Sequence, residues 1–417
     1  MPAIYQTIRT FLVSINVSTS GIDIIGQMEW HDLIDETVKA FLIVPLYSIL
    51  NKVFKEEKER WATFVFKCLL IVFALYFLFS AGVFIYGNSL ISFMNPQEND
   101  ISAISVYLKL ETIAFIIGII PSFFNVVFVV AEKPKNVYIF LGVHVVLGLL
   151  ADFFLIPLLG VNGIAISNMI TNIILGIMGF VVLYCEKLIK PCLFSKGDKT
   201  EYLLWLKVGL FSGCQQFIDN IVYALMVGKM INAVSEQGNY WVANNFIWGW
   251  LLIPITAMAE IIKTDCKEEN RVIIRSNYYL LSIFVFAFWA ITIPGWKPFL
   301  AHIERLENAN RIFSILLKLV PFYVAYSLSI IPDSIFIGKG KTYLNAINSL
   351  LVNALYYGVW FVLYKTNVVT FSIEIIIYMF GCGMVFHMFI SWILEWWYDK
   401  NTRMGNLILQ MLQWIRG

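Results

Sequence analysis

The sequence predicts an all-α integral membrane protein: about twelve transmembrane helices in two six-helix lobes, related by a pseudo-twofold axis along the membrane normal. Three observations predict it. The 417 residues are 59% hydrophobic and 14% charged, whereas a soluble domain is roughly 25% charged. Apolar runs long enough to cross hydrocarbon recur along the whole chain. The second half also repeats landmarks of the first at a nearly constant offset.

A bilayer core of ~30 Å needs about 20 mostly apolar helical residues. Such runs lie at 4–17, 30–50, 62–86, 103–131, 136–158, 162–185, 203–231, 240–262, 273–295, 312–338, 342–364 and 370–397. The first is short. Its counterpart, span 7, begins near Tyr202, and subtracting 210 places the start of span 1 about eight residues before Met1, so a truncated first span is expected. Spans 1–6 make an N-terminal lobe over 1–190, a linker runs over 191–202, and spans 7–12 make a C-terminal lobe over 203–397. The tail 398–417 ends in MGNLILQMLQWIRG, too short to cross. Leu407, Ile408, Met411, Leu412 and Ile415 share one of its faces, which predicts a helix lying in the interface.

The connectors orient the bundle. NKVFKEEKER, 51–60, carries four Lys or Arg, and the 87–102 connector carries none. Basic residues concentrate on the cytoplasmic side, so both termini of this multi-pass cell-membrane protein are expected there.

The repeat rests on ordered pairings. Pro45 matches Pro254 and Lys109 matches Lys318, both at 209; Gln6 matches Gln216 at 210. Lys133-Pro-Lys135 matches Lys339-Gly-Lys341 at 206, and KEEKER of 55–60 matches KEENR of 267–271. Together they argue for duplication. Six spans per half is even, so both halves enter from the same side and a site is expected between them near the midplane.

Composition excludes several functions. A formal charge of +2 offers nothing to nucleic acid. The six cysteines form no CxxC pair, so neither a disulfide framework nor a structural metal site is expected. There is no HExxH, nucleophile elbow or His-rich cluster, and no enzyme or cofactor is expected.

Charges inside spans mark the candidates, since an ionisable side chain in lipid costs at least ~2.5–3.5 kcal/mol unless it faces a cavity or partner. HDLIDETVK, 31–39, packs five titratable residues against the uncharged AFLIVPLYSIL. On a helix, Glu29, Asp32, Asp35, Glu36 and Lys39 share one face. Asp35 and Lys39 are spaced to pair at i, i+4. Glu29 and Asp32 read equally as a solvated helix end or as a site. Glu36 lies deeper, and the repeat supplies Asn244 and Asn245 at the matching place, so it is expected to face the pathway. Asp152, Asp219 and Glu111 are the further acids within spans. Trp248 could stack on a flat cation, though packing explains it as readily; His144 and His387 read as packed core residues.

At spans 5–6, LLADFFLIPLLGVNGIAISNMI resembles a signature of the multidrug and toxic compound extrusion (MATE) transporters, and GCQQFIDNIVYALMVG and IFIGKGKTYLNAINSLLVN are similar to that family too. The resemblance covers essentially the whole chain. It implies export of organic, often cationic, molecules by alternating access, in exchange for Na⁺ or H⁺ as coupling ion. In one branch an acid on span 1, an Asn and Asp on span 5 and a Thr on span 6 hold the cation. Here Asp152 fits the span-5 acid, Gly148 stands at the Asn position, Asn168 at the Thr position, and the span-1 acid falls near Leu12, with Arg9 close by. Asp219 fits a span-7 acid of another branch, whose span-10 acid falls near Tyr326; Asp333 lies about two turns further on.

The expected cation-binding set is thus Asp152, Asn168, Asp219, Glu36 and Asp35. The expected substrate cavity is Asp32, Glu111, Gln215, Gln216, Asn244, Asn245 and Trp248. The expected partners are a small-molecule substrate and membrane lipid, with the chain a monomer. A lipid-linked oligosaccharide or lipid flippase of the same superfamily, and a transport-inactive homologue, are the alternative readings.

Overall fold

The computed structural model describes residues 2–56, 58–95, 101–191, 199–266, 275–366 and 368–416. The KEENR match at 267–271, most of the 191–202 linker and the side chains of the 404–417 tail lie outside the described residues. Every regular element described is a helix. In order they are α1 (Pro2–Asn16), α2 (Ser18–Gln27), α3 (Glu29–Leu42), α4 (Val44–Glu56), α5 (Lys58–Met94), α6 (Ile101–Val130), α7 (Pro134–Leu159) and α8 (Asn162–Cys185). There follow α9 (Lys199–Tyr223), α10 (Lys229–Ala233), α11 (Gln237–Phe246), α12 (Ile253–Asp265) and α13 (Arg275–Pro298). The last are α14 (Ala309–Gly338), α15 (Thr342–Leu351), α16 (Gly358–Lys365) and α17 (Ile373–Arg416). Short π-helical segments follow α9, α11, α13 and α15.

Among the described residues, eight helices are long and apolar enough to cross a membrane. A ninth crossing results if α11 and α12, bent by 52° at their junction, form one path. Long apolar side chains point outward along these helices, with Leu158 and Ile291 each 77% exposed. In water such a surface would be unfavourable; in hydrocarbon it is the expected face.

The chain forms two compact units: Met1–Val242 with Phe299–Ala309, and Ala243–Pro298 with Asn310–Gly417. The first has a phenylalanine-rich core in which Phe64 of α5 and Phe123, Phe124 and Phe128 of α6 pack with Leu46 and Leu50 of α4, all essentially sealed from solvent. The same unit takes in α9, which packs on α3 and α4. Gly213 makes this approach possible, because a Cβ there would sit 2.2 Å from Phe41 Cγ.

Two local structures recur at the spacing that the sequence repeat predicts. Pro45 and Pro254 each stand second in a helix that begins after a break, α4 and α12. Proline is tolerated there because its missing N–H would have no helical partner. The carbonyl left at each break takes an indole N–H: Trp205 Nε1 donates to Leu42 at 3.2 Å in the first unit. Trp289 Nε1 donates to Leu251 at 3.1 Å in the second. The turns after α6 and α14 also match. Lys133 N–H donates to the Phe128 carbonyl at 2.8 Å, and Lys341 N–H to that of Phe336 at 2.7 Å. The left-handed residue is Glu132 in one turn, at φ 56°, and Gly340 in the other, at φ 69°. Lys133 therefore corresponds to Lys341, at an offset of 208 rather than 206, a correction to the Lys-x-Lys pairing that backbone geometry imposes.

The connector between α13 and α14 belongs to the first unit and packs on α1. Ser14 Oγ donates to the Glu304 carbonyl at 2.6 Å. The Glu304 side chain is buried and its Oε2 has no partner. Burial pushes its carboxyl up to about 7, against a smaller opposing effect of a hydrogen bond with Thr7. A carboxyl raised on docking favours the docked connector; that contribution is fully present below pH 4.5 and is lost progressively as pH rises to about 7. Amide hydrogen exchange over 299–309 should therefore speed up beyond its intrinsic increase in the wild type as pH rises from 4.5 to about 7, with no further excess above that, and Glu304→Gln should remove the excess. An identical profile in both proteins would refute it.

Candidate functional site

The polar centre of the first unit is assembled by five helices. On α1, Tyr5 and Arg9 lie one turn apart; on α7, Gly148 and Asp152 do the same. Asn168 enters from α8, Glu111 from α6, and Asp32 and Asp35 from α3. Asp152 is fully buried. Arg9 grips it with two donors, Nε to Oδ2 at 2.7 Å and Nη2 to Oδ1 at 3.1 Å. Nη2 also donates to Asn168 Oδ1 at 2.9 Å and to the Tyr5 hydroxyl. The Tyr5 ring lies below the guanidinium, 4.7 Å from its Cζ. Room for that tyrosine comes from Gly148, where a Cβ would stand 2.8 Å from Tyr5 Oη.

Asn168 passes the network on, donating Nδ2 to Glu111 Oε1 at 2.8 Å. Glu111 is 7% exposed, and its other oxygen, Oε2, is buried without a partner.

On α3, Lys39 Nζ binds Asp35 Oδ2 at 2.6 Å, and Tyr76 of α5 donates to the other oxygen. The i, i+4 pair read from the sequence is present, with Asp35 buried and Lys39 a third exposed. Glu29 accepts from Tyr223 at 3.3 Å. Asp32 and Glu36 are exposed within the first unit, and no ion pair to either is formed among the described residues. Gln216 donates to Asn220 at 3.0 Å, and Asn220 in turn binds the Leu33 carbonyl at 2.9 Å. Gln215 and Asp219 are half-buried on the same helix, α9, and Asp219 is not a free acid.

The expectation that these acids await a mobile cation therefore needs correction at two positions. Asp152 and Asp35 each hold a fixed basic partner, Arg9 and Lys39. A sodium ion needs several oxygen donors, and the Asp152 and Asn168 oxygens already accept from a guanidinium that is always charged. The donor set does not fit a bound metal ion. Among the described residues, no group of three or more His, Cys, Asp or Glu is placed to hold a metal.

The second unit offers two arrangements. Asn244 Oδ1 accepts from the Tyr323 hydroxyl at 2.5 Å, and Trp248 Nε1 donates to that hydroxyl at 3.1 Å. The Trp248 ring, 44% exposed, lies 5.5 Å from that of Tyr326, an aromatic surface of the kind that stacks on flat cations. Asn245 Nδ2 is buried without a partner. The other arrangement overturns the reading of His387 as a packed core residue. His387 Nε2 is 2.9 Å from Asp333 Oδ2, and Ser391 donates to Asp333 Oδ1 at 2.8 Å. Asn348 reaches Ser391 at 2.6 Å. The signal in the sequence was the one-turn spacing of His387 and Ser391 on an otherwise apolar helix.

No family model matches the sequence, and no curated protein matches it. Solved structures do. The fold aligns over 96% of this chain and 94% of an inward-facing multidrug resistance MATE family transporter of the MOP superfamily, at TM-score 0.79 and 15% identity. The chain has the MATE fold. An outward-facing MATE transporter aligns over 96% of this chain and 91% of its own, at TM-score 0.67 and 14% identity. A MOP superfamily transporter from Pyrococcus furiosus, described as having a binding pocket of reverse polarity that suggests a different function, aligns over 96% of this chain and 94% of its own, at TM-score 0.66 and 15% identity.

Removing one partner of a buried ion pair strands the other charge, at a cost of about 3–5 kcal/mol. Arg9→Ala should accordingly lower the thermal unfolding midpoint of the purified protein, and adding Asp152→Asn should restore part of the loss. Equal midpoints for wild type and Arg9→Ala would mean that the pair does not form.

Proposed function

We propose that the protein is a multi-pass secondary transporter that exports small organic cations by alternating access, in exchange for an inward-moving cation. Twelve crossings follow if α3 with α4, α9 with α10, α11 with α12, and α15 with α16 each make one span and α2 is a connector. In this reading the halves 1–190 and 203–397 are the two six-span lobes, both termini are cytoplasmic, and the chain works as a monomer. The MATE fold and the recurring proline breaks and turns support it.

One observation carries the choice of cargo. Along α3, Glu29, Asp32 and Glu36 form no ion pair among the described residues, while Arg9 and Lys39 of the same unit are already bound to acids. The unspent charge on this face is negative. An organic cation and the coupling ion offset the same charge, so binding of either weakens the other, and that competition couples their movements. A flippase handling an anionic lipid-linked sugar draws less support, because neither base is free to meet a phosphate.

The test is efflux of a fluorescent organic cation from vesicles holding the purified protein. Asp32→Asn and Glu36→Gln should each weaken apparent cation affinity about tenfold, equal to ~1.4 kcal/mol. Unchanged affinity in both, or transport confined to anionic cargo, would exclude the proposal. No efflux under any gradient would favour an inactive homologue.

A further inference from the structure

We infer that the polar centre of the first unit is a site with a built-in cation, in which Arg9 does the work of a bound metal ion and leaves a single exchangeable proton place at Glu111. The argument begins with donors and acceptors. Arginine can only donate, so Asn168 must turn Oδ1 toward Arg9 and Nδ2 toward Glu111. The observed contacts, 2.9 and 2.8 Å, have that polarity. A metal ion beside Glu111 would therefore meet amide hydrogens where it needs an oxygen. A proton has no such requirement.

Charge completes the case. The guanidinium offsets one carboxylate, and its two-point grip identifies that one as Asp152. Glu111 is the second, and its Oε2 lies unpartnered in the interior. A proton arriving from solvent forms an O–H bond at Oε2, while Oε1 goes on accepting from Asn168; the group of Arg9, Asp152 and Glu111 changes from a single net negative charge to neutral, and none of its hydrogen bonds breaks. Protonating Asp152 instead would cost charge-assisted hydrogen bonds on both of its oxygens.

The groups facing Glu111 are Tyr5 and Arg9 of α1, Asp32 and Asp35 of α3, Asp152 of α7, Asn168 of α8, and Tyr107 of α6 itself. His31 of α3 meets the next residue, Thr112, at 3.3 Å. Lys39, the base on α3, is already held by Asp35. Gly148 and Tyr5 belong to the same construction, since the absent side chain at 148 lets the tyrosine support the guanidinium. Using this proton to drive export rests on the function proposed above; the existence of the site does not.

The test reads protonation without transport. Infrared difference spectra of the purified full-length protein, titrated across neutral pH, should show the carbonyl band of a protonated carboxylic acid. Because the Glu304 carboxyl also titrates near 7, the spectra are taken in a Glu304→Gln background; there the band should shift with ¹³C-glutamate and not with ¹³C-aspartate, vanish when Glu111→Gln is added, and be the same in sodium as in potassium. Arg9→Gln should make it sodium-sensitive, because the Asp152 and Asn168 oxygens are then free. A band that shifts with labelled aspartate, persists in Glu111→Gln, or falls in sodium with Arg9 in place would overturn the inference. The isotope and salt comparisons need only the Glu304→Gln protein, so they decide even if a Glu111 or Arg9 variant fails to fold. Vesicles that transport nothing, from protein that shows the band, would sink the transporter reading and leave this one standing.

Discussion

The two-point contact of Arg9 with Asp152 sets the character of the first unit. A fully buried carboxylate needs a partner, and here the partner is covalently part of the chain. Once that pair forms, the remaining features follow from hydrogen-bond polarity. Asn168 is oriented by a group that can only donate, Glu111 receives the amide hydrogens, and Tyr5 fills the space over a glycine. The site differs from an ion-binding cage at each of these positions, and the differences support one another.

The large features of the fold were legible in the sequence because they depend on local and periodic signals. Apolar runs gave the long helices. Pro45 and Pro254 were legible as repeat landmarks within spans 30–50 and 240–262; that each stands just after a helix break was not read from them. The duplicated turn was read two residues out of register because a Lys-x-Lys pattern says nothing about which residue takes the left-handed conformation. The pairing of Asp35 with Lys39 was visible at i, i+4, although the burial of Asp35 was not.

The site was less legible, for a physical reason. Arg9 lies 143 positions from Asp152 and Glu111 lies 57 from Asn168, and no local rule brings them together. Resemblance marked Asp152 for a mobile cation, and in the structure Arg9 holds both of its oxygens. The sequence had shown that the matching span-1 acid was missing and that an arginine stood nearby; packing turned those two departures into one interaction. His387 was misread for the converse reason: a single histidine on an apolar helix looks like core until its distant acid, Asp333, is seen.

The most direct test is an experimental structure of the full chain with rubidium, whose anomalous signal reveals a monovalent cation that sodium would hide. The account predicts the Arg9 guanidinium between Asp152 and Asn168, with no anomalous peak on their oxygens. A rubidium ion bound to Asp152 and Asn168, with Arg9 turned away, would contradict it.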